Sequence, residues 1–298
     1  SLSFFNNFAQ ILAYMSIKDI PAYKKLKVKE GTYLPDVGLD YPDDPSIRMI
    51  KPKKITHPFV LDENYPYWDE SFSYKLNIFL LRMKFWTLVL PMLKVVYGLK
   101  VERNGILKKY KKEMKNGAIT ICNHCFRIDV GVIIAATRHH SWIPMLADNM
   151  MTDDHWHMKY TGGIPIPSTM SALKKYNEAF DKHHEKGHWF HLFPEGINWH
   201  WYKPLKPFYK GAFSMAYKYN MPILPLYINY RPRTGIYKWF AKPEIPLLTI
   251  SVGEPIFPDV TKPRKVEIDH LRETAFEKML DMAGIIENPW PAVPQKDV

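Results

Sequence analysis

The spacing of apolar positions changes character twice along the chain. Over residues 1–70 they are scattered among turn formers. Pro21, Pro35, Pro42, Pro45, Pro52 and Pro58 forbid long helices, and Tyr33-Leu-Pro-Asp-Val and Tyr41-Pro-Asp-Asp-Pro-Ser read as turns. This predicts an irregular N-terminal extension, with one short helix over residues 4–14. From 76 to 99 the chain is almost continuously apolar, and a stretch of ~20 such residues has the length of a membrane span. Arg82, Lys84 and Lys94 interrupt it and Pro91 would kink it, so a simple span is not expected. Two readings remain. The cations snorkel while Phe79, Phe85, Trp86 and Leu90 enter one leaflet, or the stretch is a pair of core helices.

From residue 117 short apolar runs alternate with helical patterns. Strands are predicted over 118–122, 188–193, 223–230 and 247–252, with a further apolar run over 142–146. Helices are predicted over 128–137, 168–186, 211–219 and 264–283. Ser168 or Thr169 suits the start of the second of these helices and Gly187 its end. Such alternation implies an α/β fold with a mostly parallel central sheet flanked by helices. The domain reading is an extension over 1–70, amphipathic helices over 71–100 and an α/β domain over 101–298.

Composition narrows the class. An apolar fraction of 46% over 298 residues excludes a wholly disordered chain. Two Cys cannot build a disulfide framework, which fits a reducing compartment, and the first sixteen residues lack the features of a cleavable signal. Lys and Arg outnumber Asp and Glu 41 to 30, a net charge of +11, which attracts nucleic acid, anionic lipid or phosphorylated substrates. Nine Trp and eighteen Tyr lean toward a membrane interface. The basic run Lys100, Arg103, Lys108, Lys109, Lys111, Lys112 and Lys115 is either a solvated face or a contact for anionic headgroups.

Four segments carry candidate chemistry. Asn123-His124-Cys125-Phe126-Arg127-Ile128-Asp129 follows the first strand of the α/β region. Five residues of helix turn ~500°, so His124 and Asp129 would not share a face of a regular helix. They meet if His124 sits in the loop and Asp129 in the helix's first turn. Asp129 would then hold one imidazole nitrogen protonated and leave the other free to take a proton from a hydroxyl. Taken alone, the pair also fits a surface His near a helix-start Asp. Phe193-Pro194-Glu195-Gly196 lies at the end of a later strand, where α/β sheets bind ligands. Glu195 offers an acceptor, and Gly196 permits close backbone approach. Gly162-Gly163-Ile164-Pro165-Ile166-Pro167-Ser168 and Met221-Pro222-Ile223-Leu224-Pro225-Leu226 would singly be a loop and a buried strand.

Together and in this order, the four segments resemble the sequential motifs of the glycerophospholipid acyltransferase family, of the bacterial lysophosphatidic acid acyltransferase type, over roughly residues 75–260. The resemblance implies an O-acyltransferase with His124 as general base and Asp129 as its orienting partner. Phe193, Pro194, Glu195, Gly196, Gly163 and Ser168 would then shape the acceptor site, and Pro225 would line the acyl or oxyanion region. It also implies acyl-CoA or acyl carrier protein as donor, a lysolipid as acceptor, and neither metal nor bound cofactor. Family members embed amphipathic N-terminal helices in one leaflet, which favours the membrane reading of 76–99, an anionic lipid surface as partner, and a peripheral or monotopic place on the cytoplasmic face of the cell membrane.

The chain departs from the family pattern at two places. Members acting on glycerol phosphates usually end the second motif with Arg and carry another Arg just after the Glu-Gly of the third. Here those places hold Ser168 and Ile197-Asn198-Trp199. Without two bidentate guanidiniums, either Lys203, Lys206 or Lys210 serves as a point charge, or the acceptor carries no terminal phosphate monoester, as in a glycolipid. Members lacking the second Arg, tafazzin-like ones among them, tend to use lysophospholipids. Competing readings are a Cys125 nucleophile, a metal or redox site at Cys122-Asn-His-Cys125, a non-catalytic lipid-binding protein, and a basic nucleic-acid-binding protein. No nucleic-acid module is evident, so nucleic acid is not expected as a partner.

Overall fold

The computed structural model describes Tyr23, residues 25–49 and residues 54–294. The short helix expected over 4–14 lies outside them. In chain order the elements are β1 (Lys27–Val28), α1 (Phe72–Lys84), a π-helical turn (Phe85–Val89), α2 (Leu90–Tyr97), β2 (Lys100–Glu102), α3 (Ile106–Lys109), β3 (Ile119–Cys122), α4 (Asp129–Thr137), β4 (Ser141–Leu146), α5 (Ala147–Met150), α6 (His155–Tyr160), β5 (Gly163–Ile166), α7 (Met170–Glu185), β6 (Trp189–Leu192), α8 (Gly211–Tyr219), β7 (Ile223–Arg231), a 3-10 turn (Gly235–Trp239), β8 (Leu247–Val252), α9 (Arg264–Ala283) and β9 (Ile285–Glu287). Thr169 caps α7 by accepting from Ala172 N, and Gly187 follows that helix at φ +67.

Seven strands form the central sheet in the order β2-β8-β7-β3-β6-β4-β5. Every neighbouring pair is parallel except β7 and β8, so β3 to β7 run one way and β8 and β2 the other. Alternation along the strands feeds two cores. Ile119, Ile121 and Ile223 join Phe180, Phe213 and Phe276 from α7, α8 and α9 on one face. Cys122, Leu224 and Leu226 join Leu93, Val132 and Ala136 from α2 and α4 on the other. Each such fully buried aliphatic side chain contributes about 1.5–3 kcal/mol.

Residues 72–97 form one helix whose register shifts at the π-helical turn, where the Leu90 N–H reaches back five residues to the Phe85 carbonyl. The extra residue turns Phe85 inward. It is buried with Leu93 against Gly131 of α4. The expectation that Phe85 enters a leaflet is therefore corrected, whereas Phe79 and Trp86 are exposed. No helix among the described residues is long and apolar enough to cross a membrane.

The basic run after α2 also lands elsewhere than its sequence neighbourhood suggests. Because β2 is antiparallel to β3, residues 103–117 lie at the edge where β3 begins, opposite the end where it delivers His124. Arg103 donates to the Ala136 and Ala135 carbonyls at the C-terminal end of α4, both at 2.6 Å, and Lys109 pairs with Glu254 at 2.6 Å. Adjacency in sequence thus does not place this run beside the exposed face of α1.

The described part of the N-terminal extension is pinned at two places. β1 pairs antiparallel with β9, and Tyr41 packs among Tyr23, Trp199 and Tyr202.

Gly162 stands at φ +112, and a Cβ there would lie 2.1 Å from the Ser141 carbonyl oxygen. Gly162→Ala is expected to destabilise the fold by roughly 2 kcal/mol or more, read as a lowered midpoint in urea unfolding.

Candidate active site

The parallel strands β3 and β6 deliver two loops to the same end of the sheet. After β3 the chain turns through His124 before α4 begins at Asp129. His124 Nδ1 and Asp129 Oδ2 lie 2.6 Å apart, and the same carboxylate oxygen accepts from the Cys125 N–H at 3.1 Å. Asp129 is buried, and burial raises its carboxyl pKa although His124 and the backbone donors favour the anion. A proton on Nδ1 is the state that satisfies this contact, and it leaves Nε2 as an acceptor. Nε2 makes no hydrogen bond among the described residues, and the His124 side chain is 25% exposed.

The loop after β6 supports the ring from the other side. Phe193 stacks on His124 with centroids 3.9 Å apart and planes 16° from parallel. Asn198 Nδ2 donates to the Phe126 carbonyl at 3.0 Å and lies 3.2 Å from His124 Nδ1. The backbones of the two loops are joined by Trp199 N to His124 O at 3.1 Å and Trp201 N to Cys125 O at 2.8 Å. Gly196, at φ +71, lies under the Tyr209 ring, where a Cβ would meet ring carbons at 3.0 Å. Asn198 carried no role in the sequence reading. The only signal for it was its place two residues beyond the Glu-Gly pair.

The other residues singled out from sequence differ in how far they are exposed. Glu195 is buried and its Oε2 is held by Lys206, itself 1% exposed, so this carboxylate is not presented to an acceptor and Lys206 is not presented to a phosphate. Burial raises the Glu195 carboxyl pKa even with the ammonium against it. Pro194 is buried beside it. Lys203 is likewise buried, donating to Asn229 Oδ1 and lying over the Tyr227 ring. Lys210 is exposed one residue beyond Tyr209, and Arg127 is exposed three residues beyond His124. Pro225 is buried within β7 opposite Ile121, behind the loop.

Gly163 begins edge strand β5, three strands from β3, where a Cβ would lie 2.6 Å from the Met158 carbonyl oxygen. Neighbouring strands are ~4.8 Å apart, which puts Gly163 about 14 Å from the β3 line, and Ser168 is exposed in the connection that follows β5. The departure at Trp199 also has a structural account. The indole is fully buried under the N-terminal extension, stacking on Tyr41 and donating to the Ile47 carbonyl at 2.9 Å.

Burial of Lys203 lowers its pKa to about 8. The unfolded chain keeps this proton up to ~10.4, so between these values it binds more protons than the folded state, and stability rises with pH. Relative to Lys203→Met, the parent chain is expected to gain about 3 kcal/mol on going from pH 7 to pH 10.5, measured by urea unfolding across that range.

Both cysteines are buried, with thiol pKa values pushed well up by desolvation, which argues against a Cys125 thiolate nucleophile. Among the described residues no group of three His, Cys, Asp or Glu side chains is arranged to hold a metal ion.

Comparison with known proteins adds three findings. No curated protein matches the chain. Among solved structures, the chain is similar to the 1-acyl-sn-glycerophosphate (LPA) acyltransferase PlsC from Thermotoga maritima, at 17% identity and a TM-score of 0.45 over 70% of this chain and 87% of that one. Residues 99–229 match the family described as Acyltransferase, a span that contains β3, the His124 loop, α4, β6 and the Asn198 loop. This part of the chain is an acyltransferase domain, and the paired loops at the ends of β3 and β6 lie within it.

Proposed function

We propose that the domain transfers a fatty acyl group from an acyl thioester, on coenzyme A or acyl carrier protein, to a hydroxyl of a lysophospholipid-type acceptor. The observation that carries this reading is His124, partly exposed at the end of the sheet, with Nδ1 tied to buried Asp129 and Nε2 without a hydrogen bond among the described residues. Nε2 takes the acceptor hydroxyl proton as its oxygen bonds to the thioester carbonyl carbon. The C–S bond then breaks, and the imidazolium returns the proton to the departing thiolate. General base assistance of this kind contributes typically ~10²–10⁴-fold. Asp129 keeps the ring in the useful tautomer, while Phe193 and Asn198 fix its plane.

The same reading places helix 72–97 on an anionic lipid surface. Its exposed apolar side chains include Phe72, Phe79, Leu80 and Leu88, while Lys75, Arg82, Lys84 and Lys94 supply charge and no Asp or Glu lies within it. Phe126, two residues from His124, packs on Tyr97 at the end of α2 with centroids 4.8 Å apart, so lipid under this helix would lie next to the reacting group.

Burial of Lys203 and Lys206 favours an acceptor without a terminal phosphate monoester, since Arg127 and Lys210 are the cations left exposed on the two loops. The test is thiol release from acyl-CoA with lysophosphatidic acid, lysophosphatidylcholine, lysophosphatidylglycerol and a monoacyl glycolipid as separate acceptors. Release is expected with the diester lysophospholipids at rates at least equal to those with lysophosphatidic acid. Strong preference for lysophosphatidic acid would overturn the acceptor assignment. Release with none of the four, from acyl-CoA or acyl carrier protein, would overturn the reaction.

A further inference from the structure

The connection between β7 and β8 carries the most exposed large hydrophobic side chain of the described residues. Trp239 is 90% exposed, Ile236 on the same 3-10 turn is 71% exposed, and Phe240 just after it is 47% exposed. Three large apolar side chains at one exposed tip are costly in water and mark a contact surface. Lys238 and Lys242 are exposed beside them, with Glu244 the one acid in the connection over 232–246.

The turn is held firmly. Arg233 is buried without a carboxylate partner among the described residues, and its guanidinium donates to the carbonyls of Ile245 at 2.7 Å, Tyr237 at 2.7 Å and Val96 at 2.9 Å. One side chain thereby ties both ends of the connection to the last turn of α2. The Tyr237 ring seats against Gly98, and Arg231 donates to the Gly98 carbonyl at 2.5 Å. The tip also projects on the side of the sheet that bears His124. Leu226 of β7 is level with Cys122, the last residue of β3, and β7 continues five residues farther, about 17 Å.

We propose that the Gly235–Trp239 turn is a second membrane-insertion point, in which Ile236, Trp239 and Phe240 enter the headgroup and acyl boundary of an anionic bilayer while Lys238 and Lys242 meet its phosphates. This rests on the reading that helix 72–97 lies on lipid, because the turn is continuous with that surface through Val96 and the exposed Val95. An amphipathic aromatic tip flanked by lysines is the chemistry of a lipid interface. With helix 72–97 as one line of contact and the turn as a point beyond its end, the domain is held at a fixed tilt with the His124 opening toward lipid.

The test uses the full chain labelled at single introduced cysteines, since both native thiols are buried. Ile236→Cys and Phe79→Cys are each coupled to an environment-sensitive fluorophore and mixed with vesicles of equal phosphatidylcholine and phosphatidylglycerol. The probe at 236 is expected to shift to the blue and to be quenched by lipids brominated in the upper acyl chain. Response at 79 with none at 236 overturns the insertion point alone, and silence at both overturns the lipid reading of the helix as well. Combined Trp239→Ser and Phe240→Ser is expected to weaken vesicle binding at least about tenfold while leaving thiol release with detergent-dispersed lysophospholipid unchanged. Unchanged vesicle binding, or equal loss of activity in detergent, would also overturn the proposal.

Discussion

Replacing His124 with alanine is expected to lower acyl transfer about 10²–10⁴-fold without unfolding the domain. The ring is partly exposed, and its removal leaves the Asp129 carboxylate still accepting from the Cys125 N–H, so the α4 entry keeps one of its ties. Thiol release at saturating acyl-CoA reads the activity, and circular dichroism with vesicle binding reads the fold. Asp129→Asn should leave the ring in place but free to take the other tautomer. Its expected signature is a large loss in kcat with little change in KM for the donor. Near-parental turnover by His124→Ala would remove the general base from the mechanism and return attention to the rest of the two loops.

Truncating Lys206 is expected to have the largest effect on stability. Lys206→Ala leaves the Glu195 carboxylate buried without its ion partner, and breaking such a pair costs about 3–5 kcal/mol. Urea unfolding should show the loss at neutral pH. The loss should shrink as pH falls, because the uncompensated carboxyl, its pKa already raised in the native chain, takes up a proton and ceases to be a buried charge. Combining Lys206→Met with Glu195→Leu should recover most of the stability, since two apolar groups need no partner. Full activity at low temperature in that double variant would establish Glu195 as a structural support of the Asn198 loop. Lost activity with restored stability would give the carboxylate a part in binding.

The α/β region was legible because each buried strand of a parallel sheet reads as a short apolar run between breakers. Strand 247–252 and helices 211–219 and 264–283 agree with the structure to the residue. The His124 and Asp129 arrangement could be reasoned from a loop followed by a helix start. Side chains whose roles depend on distant chain segments could not. Lys203 and Lys206 look like surface cations shortly after the Glu195-Gly196 turn, yet Asn229 and Glu195 draw them into the interior. Phe85 looks lipid-facing until the π-helical turn adds a residue to the register and rotates it onto α4. Gly163 looks like part of a binding loop, but its bareness serves the close passage of β5 against the Met158 carbonyl. Sequence spacing carries local geometry well and long-range partners hardly at all.

The contacts of Tyr41 and Trp199 bear on the order in which the protein assembles. Tyr41 donates to the His200 carbonyl 159 residues away, and Ile47 receives the Trp199 indole across 152 residues. The segment bearing Tyr23 and Tyr41 is itself fastened by β1 to β9, near the other end of the described chain. On a ribosome adding ~5–20 residues per second, β3 and the His124 loop emerge many seconds before the strand that fastens their distant cover exists. Loop closure over such separations is slow, so the sheet and the bonds between the His124 and Asn198 loops can be in place before this cover closes over Trp199. The aromatic cover over Trp199 is then fastened late, after the His124 and Asn198 loops are already joined to each other.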